Sequence, residues 1–414
     1  MELRAGFKHT EIGAIPDTWT IQTGEQLTTL IAKGASPRWQ GFTYTSAGML
    51  FITSENVRNG HLDLSDPKFL PLAFHEKLAR TKVRKDDILL NLVGGSIGRS
   101  CLVPCALGDA NVNQAVAVFR TKLGVSAQFL AYCLQAPITI ERILEMQVDA
   151  ARPNISLSNL REFKLPFPPA LEQRAIAGTL SDVDALLDGL ERLIAKKRDL
   201  KQVAMQQLLT GGVRLPGFRG DWLSVRLEDL GTIQRGASPR PIDSPAWFDD
   251  GSPVGWVRIS DVTRSGVYLL ETVQRLSSRG IQNSRPVKSG SLIMSICATI
   301  GRPAITQIDV CIHDGFVVFE QLKAELLFLY YALKRIEPYW SRSGQTGSQM
   351  NLNTNLIKGT EVLIPPTHEE QSAIAMVLSD MDAELSSIEQ RLTKTRALKQ
   401  AMMQELLTGR TRLI

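Results

Sequence analysis

Two long stretches of the chain carry apolar and polar positions with the same spacing. In residues 172–211, apolar side chains recur alternately four and three positions apart, and most positions between them are charged or polar. This spacing puts the apolar side chains on one stripe of an α-helix, with the period of a coiled-coil seam. Pro168-Pro169 precedes the stretch and Gly211-Gly212 ends it, and both pairs are unfavourable inside a helix. The pattern predicts a helix of about 40 residues, or about 60 Å, which is typical of a spacer.

The same pattern returns in residues 370–409. Every position of the apolar stripe has an apolar counterpart at a constant offset, and Leu-Ser-Asp-x-Asp and Leu-Leu-Thr-Gly recur letter for letter. Such identity is not expected of two unrelated amphipathic helices, so we expect the two helices to pack on each other. The predicted seam consists of Ile176, Leu180, Val183, Leu187, Leu190, Ile194, Ile374, Leu378, Met381, Leu385, Ile388 and Leu392.

The segments before the two helices also repeat, in the same order. Gly-Ala-Ser-Pro-Arg occurs at 34–38 and at 236–240, and a turn ending in Ile-Gly-Arg occurs in each half. Both halves mix short β-like runs, frequent turns and a few short helices, which is α+β character. The predicted division is a globular domain (1–168), a helix (169–212), a second globular domain (213–366) and a second helix (367–414).

Composition narrows the function classes only moderately. The net charge of +5 permits a polyanionic partner without requiring one. No apolar run reaches membrane-spanning length and no signal-peptide core follows Met1, so we expect a cytoplasmic protein with no membrane partner. Five scattered cysteines argue against a disulfide framework, and no His/Cys spacing predicts a metal site.

No catalytic motif survives inspection. Phosphate-loop, zinc-protease and nucleophile-elbow patterns are absent. Phe167-Pro168-Pro169-Ala170 lacks the polar first and aromatic last residues of the amino-methyltransferase motif. A nuclease-like arrangement of Asp149 with Glu162-Phe163-Lys164 is not duplicated in the second half, so we predict no catalytic residues in this chain.

The duplicated polar positions suit recognition of nucleic acid. Arginine can bond guanine and asparagine or glutamine can bond adenine, and basic side chains neutralise phosphates. A purely structural turn is an equally good interpretation of Gly-Ala-Ser-Pro-Arg. The candidate DNA-binding residues are Ser36, Arg38, Arg99, Arg152, Asn154, Ser238, Arg240, Arg302, Gln349 and Asn351.

Taken together and in order, these features resemble the specificity subunit of Type I restriction–modification systems. The similarity covers nearly the whole chain, and no single motif carries it. It rests on Thr10-Glu11-Ile12-Gly13-x-Ile15-Pro16-x-x-Trp19, on Lys33-Gly34-Ala35-Ser36-Pro37, on Lys85 to Leu89, on Asn154-Ile155-Ser156, on Pro168-Pro169-x-x-Glu172-Gln173, and on Leu-Leu-Thr-Gly followed by Arg-Leu-Pro-Gly-Phe at 208–218.

The resemblance implies a subunit without catalysis of its own. Two target recognition domains would each read one half of a bipartite, asymmetric site in double-stranded DNA, and the helices would form an antiparallel coiled coil between them. Two methyltransferase subunits would dock and methylate adenine N6, and two restriction (motor) subunits are a further, optional partner. S-adenosylmethionine, ATP and Mg²⁺ would belong to those partners, with no cofactor bound by this chain.

One loop of this sequence departs from the family pattern. The first repeat departs from the family at Ala150-Ala151-Arg152-Pro153, where the second has the more typical Gly-Ser-Gln, so equal roles for the two loops are not expected.

The helices are expected to fix the gap between half-sites, so that four residues inserted near Leu208 would widen it.

Two other interpretations of the sequence remain open. A coiled-coil adaptor with no nucleic-acid role would share the helices and the lack of catalytic motifs. A stand-alone DNA methyltransferase or nuclease would need residues that the sequence lacks, and it would be active without any partner subunit.

Overall fold

The protein is described by a computed structural model that covers residues 5–104, 107–147, 153–343 and 352–413. The chain divides into two compact units. Unit 1 comprises Met1–Glu191 and Gln390–Ile414, and unit 2 comprises Arg192–Glu389. Each unit therefore combines one globular half with part of each long helix.

Unit 1 contains eleven strands in its described residues. They are β1 (Phe7–Thr10), β2 (Gly13–Pro16), β3 (Thr20–Thr23), β4 (Thr28–Lys33), β5 (Met49–Ile52), β6 (Lys68–Leu70), β7 (Ile88–Asn91), β8 (Ser100–Leu102), β9 (Ala110–Val112), β10 (Val116–Thr121) and β11 (Lys164–Phe167). The α-helices that begin in this unit are α1 (Gly24–Leu27), α2 (Leu72–Lys77), α3 (Ala127–Gln135), α4 (Pro137–Glu145), α5 (Leu157–Glu162) and α6 (Ala170–Leu208).

Unit 2 has a similar set of elements. Its strands are β12 (Leu223–Arg226), β13 (Thr232–Arg235), β14 (Gly255–Val257), β15 (Tyr268–Leu269), β16 (Gln274–Arg275), β17 (Arg285–Val287), β18 (Leu292–Ser295), β19 (Pro303–Thr306), β20 (Val310–Ile312), β21 (Phe316–Glu320) and β22 (Glu361–Ile364). The α-helices that begin in it are α7 (Leu227–Leu230), α8 (Ile259–Arg264), α9 (Ser278–Gln282), α10 (Leu326–Ser343), α11 (Thr354–Gly359) and α12 (His368–Leu406).

The main sheets of the two units share the order of four strands, and that of unit 2 has β15 as a fifth strand. The main sheet of unit 1 has the order β4-β10-β7-β8, and that of unit 2 has the order β13-β21-β18-β19-β15. Each unit has a second sheet containing one parallel pair, β5 with β9 and β14 with β20. The repeat seen in the sequence is thus a repeat of structure, and the α+β fold class is confirmed.

Alternation of side chains along the central strands explains the layering. In β7, Ile88 and Leu90 enter the core that contains α3 and the start of α6, whereas Leu89 enters the core shared with the second sheet. In β18, Leu292 and Ile293 divide in the same way. Successive side chains of a strand point to opposite faces, so these continuous apolar runs bury both faces of the main sheet.

The long helices have slightly different limits from the predicted ones. Relative to the patterned stretches 172–211 and 370–409, both begin two residues earlier and end three residues earlier, at Leu208 and Leu406, and both lie within the predicted segments 169–212 and 367–414. The glycines that were expected to close them, Gly211 and Gly409, have φ of 71° and 73° and lie in the turns that follow. Left-handed glycine is the usual way to end a helix, so these residues act just beyond the last helical turn.

Ion pairs give the direction of helix packing within each unit. In unit 1, Asp184 pairs with Lys399 at 2.5 Å and Glu191 with Arg396 at 2.6 Å. As the residue number rises along α6 it falls along α12, so the helices are antiparallel. In unit 2 the pairs Lys197–Glu384 and Lys201–Asp382 run in the same sense. The predicted antiparallel helix pair is confirmed.

The helix ends also contribute to the globular cores. Ile176 and Leu180 of α6 lie in the unit 1 core together with Leu406. Ile374 and Leu378 of α12 lie in the unit 2 core. Of the twelve predicted seam residues, nine are buried and three are half-buried, namely Val183, Met381 and Ile388. The helices are therefore core elements at these positions as well as spacers.

Three further properties bear on function class. None of the described helices is long and apolar enough to cross a membrane. Cys101, Cys133, Cys297 and Cys311 are free thiols, and burial raises the pKa of Cys101 to about 12. Within the described ranges, no cluster of three or more His, Cys, Asp or Glu side chains is arranged to hold a metal ion.

Candidate nucleic-acid interface

Several loops meet at one end of the main sheet of unit 1. Strand β4 ends at Lys33, which pairs with Ala117 near the start of β10, and β7 ends at Asn91, which pairs with Val116. The loops that follow β4 and β7 and precede β8 and β10 therefore lie side by side. We call this region the loop end of unit 1 (residues 34–42, 92–99, 113–115 and 153–156).

Backbone hydrogen bonds hold these loops together. The amide of Gly34 donates to the carbonyl of Val116 (3.3 Å), and the amide of Leu92 donates to that of Ala115 (2.8 Å). The Asn-containing loop joins them, because the amide of Ile155 donates to the carbonyl of Leu92 (3.0 Å). Candidates that are far apart in sequence thus reach one surface, namely Ser36, Arg38, Arg99 and Asn154.

Unit 2 has the same arrangement in its loop end (residues 236–247, 296–302, 313–315 and 352–353). The amide of Gly236 donates to the carbonyl of Phe316 (2.9 Å), and that of Leu352 to Ile296 (2.8 Å). The candidates placed here are Ser238, Arg240 and Arg302. Three others, Arg152, Gln349 and Asn351, lie outside the described residues.

Exposure separates the placed candidates. Arg38, Arg99, Asn154 and Arg240 are exposed, and so can meet a partner molecule without any rearrangement of the fold. The half-buried candidates are Ser36, Ser238 and Arg302, and Arg302 donates to the carbonyl of Thr263 at 3.4 Å.

The two Gly-Ala-Ser-Pro-Arg copies have different electrostatic surroundings. In unit 2 the hydroxyl of Ser238 donates to Asp314 Oδ1 at 2.6 Å, and Arg240 Nη2 lies 3.2 Å from Asp314 Oδ2. The Ser238 hydrogen bond and then the Arg240 charge lower the pKa of Asp314. The corresponding residue of unit 1 is the neutral Gln114, and Arg38 forms no ion pair with any residue that the structure describes. The positive charge of Arg38 is therefore less compensated than that of Arg240.

The glycine of the motif has a structural explanation in both units. A Cβ atom on Gly34 would lie 1.7 Å from the carbonyl oxygen of Val112, and one on Gly236 would lie 2.1 Å from that of His313. Any side chain at either position would overlap the backbone of the neighbouring turn. The first residue of the motif is thus required for packing, whereas its arginine reaches the surface.

Sequence reasoning missed a three-residue cluster that is present in both units. In unit 1 the phenol of Tyr132 donates to Asp184 at 2.7 Å, and Lys399 of α12 pairs with the same carboxylate. In unit 2, Tyr331 donates to Asp382 at 2.8 Å. Burial, together with the neighbouring carboxylate, raises the pKa of Tyr132 and of its counterpart. The cluster ties the globular half to both helices, and its sequence signal was the second Asp of Leu-Ser-Asp-x-Asp.

A buried carboxylate at the start of each long helix was also missed as a distinct feature. Glu172 accepts the indole N–H of Trp19 at 2.9 Å and is paired with Arg412 near the C-terminus. Glu370 occupies the same place in unit 2 and accepts from Arg214 Nε at 2.9 Å. These contacts lie inside each unit, so the duplicated Glu-Gln pair is structural.

The adjacent glutamines have an equally local role. Gln173 accepts from the amide of Ser126, which caps α3, and donates to the carbonyl of Pro168 at 2.9 Å. Gln371 accepts from the amide of Glu325 at 2.7 Å in the same way. Each glutamine fixes the start of a core helix against the start of a long helix.

Comparison with known families agrees with this duplicated arrangement. The family model described as "Type I restriction modification DNA specificity domain" matches twice, over residues 31–198 and 219–396. The chain belongs to this family. Each match of the specificity domain contains one loop end and most of one long helix, and the resemblance found in the sequence is confirmed.

The similar relatives and solved structures cover 95% to 98% of this chain. A putative MjaX specificity subunit of Methanocaldococcus jannaschii is 22% identical and covers 98% of this chain and 96% of its own length. The EcoKI specificity subunit of Escherichia coli is 22% identical, with coverages of 95% and 89%. A Type I restriction–modification S subunit from M. genitalium has 16% identity, a TM-score of 0.60 and coverage of 98% of both chains. A chain from a study of Type I system assembly and conformational transition has 18% identity and a TM-score of 0.63, with coverages of 95% and 99%.

Proposed function

We propose that this chain is the DNA specificity subunit of a Type I restriction–modification enzyme and reads a bipartite, asymmetric DNA site. The observation that carries the proposal is the presence, in one chain, of two non-identical specificity domains with corresponding loop ends. Because each unit gathers polar and basic side chains at the corresponding end of its own main sheet, each is suited to read one half-site.

Differences between the units support an asymmetric site. Arg240 of unit 2 lies beside Asp314, whereas the counterpart of Asp314 in unit 1 is the neutral Gln114. Direct readout depends on which donors and acceptors reach the base edges. Two surfaces with different charges are therefore expected to select different sequences.

The partner subunits carry out the chemistry. Two methyltransferase subunits bind the chain and transfer a methyl group to adenine N6, with S-adenosylmethionine held by those subunits. Two restriction subunits, with ATP and Mg²⁺, are the further partner. The chain recognises the DNA sequence and contributes no reacting group, in keeping with its lack of the common catalytic motifs.

Methylation mapping tests the proposed function directly. The chain is co-expressed with a methyltransferase subunit in a host that lacks other adenine methylation, and modified adenines are located by long-read sequencing. We expect a two-part, non-palindromic motif with a fixed gap. A continuous palindrome would contradict the proposal, and methylation by the purified chain alone would identify a stand-alone methyltransferase.

Salt dependence of binding separates the proposed function from the adaptor. The assembly should bind its motif with log affinity falling linearly with log salt concentration, because phosphate contacts release counterions. No salt-dependent DNA binding by any assembly that contains the chain would favour a coiled-coil adaptor.

The hypothesis that helix length sets the gap leads to an insertion experiment. An insertion at Leu208 is unsuitable, because this residue is buried in the unit 2 core. Seven residues are instead added to both helices, after Glu191 and after Glu389, where the chain passes from one unit to the other. Seven residues keep the seam in phase and add about 10 Å of helix. At 3.4 Å per base pair, we expect the gap in the methylated motif to widen by about three base pairs.

A matched insertion controls for added chain length. Gly124 lies in an exposed turn after β10, with no atoms near its Cβ position, so seven residues added after it should leave the gap unchanged. If the paired insertion retains methylation with an unaltered gap, the helices do not determine the spacing.

A further inference from the structure

One tryptophan of unit 1 has almost no contact with the rest of the protein. Trp39 follows Arg38 directly and is 89% exposed, whereas four of the other five tryptophans, Trp19, Trp247, Trp256 and Trp340, are buried. Exposing so large an apolar side chain to water is unfavourable, since burying its surface would release about 25 cal/mol per Å². A lone exposed tryptophan of this kind needs an explanation from its surroundings.

The turn that carries Trp39 is firmly held. Arg38–Gln40 forms a 3-10 turn in which the amides of Gln40 and Phe42 donate to the carbonyl of Pro37, at 2.9 and 3.0 Å. Phe42 then packs edge-on against the buried Phe74, with ring centroids 5.4 Å apart. Trp39 is thus presented on a fixed support.

Two basic residues belong to, or contact, the turn that carries Trp39. Arg38 precedes Trp39 in the sequence, and Lys77, at the end of α2, donates to the carbonyl of Gln40 at 3.1 Å. Lys77 also lies 5.7 Å from the centre of the Phe42 ring. An exposed aromatic ring on a turn with basic residues fits a polyanion that has flat apolar groups, which is the description of a nucleic acid.

The tryptophan in the loop end of unit 2 is buried, in contrast to Trp39. The position after Arg240 is Pro241, and the next tryptophan, Trp247, is only 7% exposed. Its indole N–H donates to the carbonyl of Pro241 at 2.7 Å, and Arg279 lies 5.0 Å from its ring centre. The exposure of Trp39 is therefore not a requirement of the shared fold, and it distinguishes unit 1.

We propose that Trp39 is a DNA-contacting residue that wedges its indole ring against a base step of the half-site read by unit 1. The inference rests on the proposed function and adds a specificity-determining residue to it. Apolar side chains that stack on bases or wedge between base steps are a known way to hold and deform nucleic acid. Because unit 2 has no counterpart, the contact should act on one half-site only.

The test compares Trp39→Ala and Trp39→Phe with Leu123→Ala, all assembled with the methyltransferase subunits. Leu123 is a fully exposed apolar residue just beyond the far end of β10, so its removal controls for loss of surface hydrophobicity. Affinity for the mapped duplex is measured, together with duplexes in which either half-site is scrambled. We expect Trp39→Ala to weaken binding roughly tenfold or more, Trp39→Phe to weaken it less, and Leu123→Ala to leave it unchanged.

Two further readouts locate the contact. The motif methylated by the Trp39→Ala assembly should lose sequence constraint in one half only. In a quenching experiment, bound DNA should shield one tryptophan of the wild-type assembly from the quencher, and this shielding should be missing from the Trp39→Ala assembly. Unchanged affinity and motif in Trp39→Ala, with a wild type that reads a bipartite site, would overturn the inference and leave the proposed function standing. Loss of assembly with the methyltransferase subunits would instead assign Trp39 to a protein contact and also overturn it. If the wild type itself reads no bipartite site, the proposed function has failed.

Discussion

The substitution Gly34→Ala is expected to destabilise unit 1 and to distort its loop end, the candidate DNA-binding surface. The added methyl group would lie 1.7 Å from the carbonyl oxygen of Val112 and 2.6 Å from that of Asn113, both of which are backbone atoms. Movement of the loop away from Val112 is opposed by the hydrogen bond from the amide of Gly34 to the carbonyl of Val116. Overpacking of this kind typically costs about 1–3 kcal/mol, and we expect the upper part of that range in the free energy of unfolding, measured by urea denaturation.

A neighbouring glycine provides the control. Gly95 lies in the same loop end, has no positive φ, and has no atom within 4 Å of its Cβ position. Gly95→Ala should therefore change the free energy of unfolding by no more than about 0.5 kcal/mol. Wild-type stability in Gly34→Ala would show that the turn yields easily and that the motif glycine has no packing role.

The features that could be predicted from the sequence are those with a local periodic signal. The four-three spacing of apolar residues identified both helices to within three residues at each end, because an amphipathic helix repeats its pattern over many turns. Repetition of short motifs in the same order identified the two halves and the α+β class. Even the loop candidates could be named, since Ser36 and Arg99 recur at corresponding positions in the second half.

Contacts between distant residues could not be predicted in this way. Nothing near Arg240 in the sequence indicates that Asp314 lies beside it, because strand pairing alone brings the two loops together. The exposure of Trp39 was equally hidden, since an aromatic residue after a proline-containing turn is as compatible with a core as with a surface. Likewise, the helix starts looked like spacer, and only the folded units reveal that Ile176 is a core residue.

Replacing Arg412 with methionine is expected to be strongly destabilising, although the residue lies near the end of the chain. Its guanidinium bonds the carboxylate of Glu172, whose side chain is only 1% exposed, and it also lies 5.9 Å from the ring centre of Trp19. With methionine at position 412, the buried Glu172 carboxylate keeps one side-chain hydrogen-bond donor among the described residues, the indole N–H of Trp19. Breaking a buried pair on one side typically costs about 3–5 kcal/mol, and we expect about 3 kcal/mol because Arg412 is partly exposed.

An exposed ion pair between the same two helices is the matched comparison. Arg396 and Glu191 are both more than half exposed, so Arg396→Met should lower the free energy of unfolding by no more than about 1 kcal/mol, with both variants measured by urea denaturation. Equal losses in the two variants would show that Arg412 contributes no more than an ordinary surface charge.

A second substitution distinguishes the unpaired charge from lost packing as the cause. Glu172→Gln in the Arg412→Met background removes the negative charge but keeps an oxygen that can accept the Trp19 hydrogen bond. If the loss arises from an uncompensated buried carboxylate, the double variant should recover most of it, because a neutral amide is far less costly to bury. If the loss arises from missing contact of the guanidinium with the Trp19 ring, the double variant should be no more stable than Arg412→Met. The same comparison in unit 2, with Arg214→Met and Glu370→Gln, asks whether both units are closed by the same interaction.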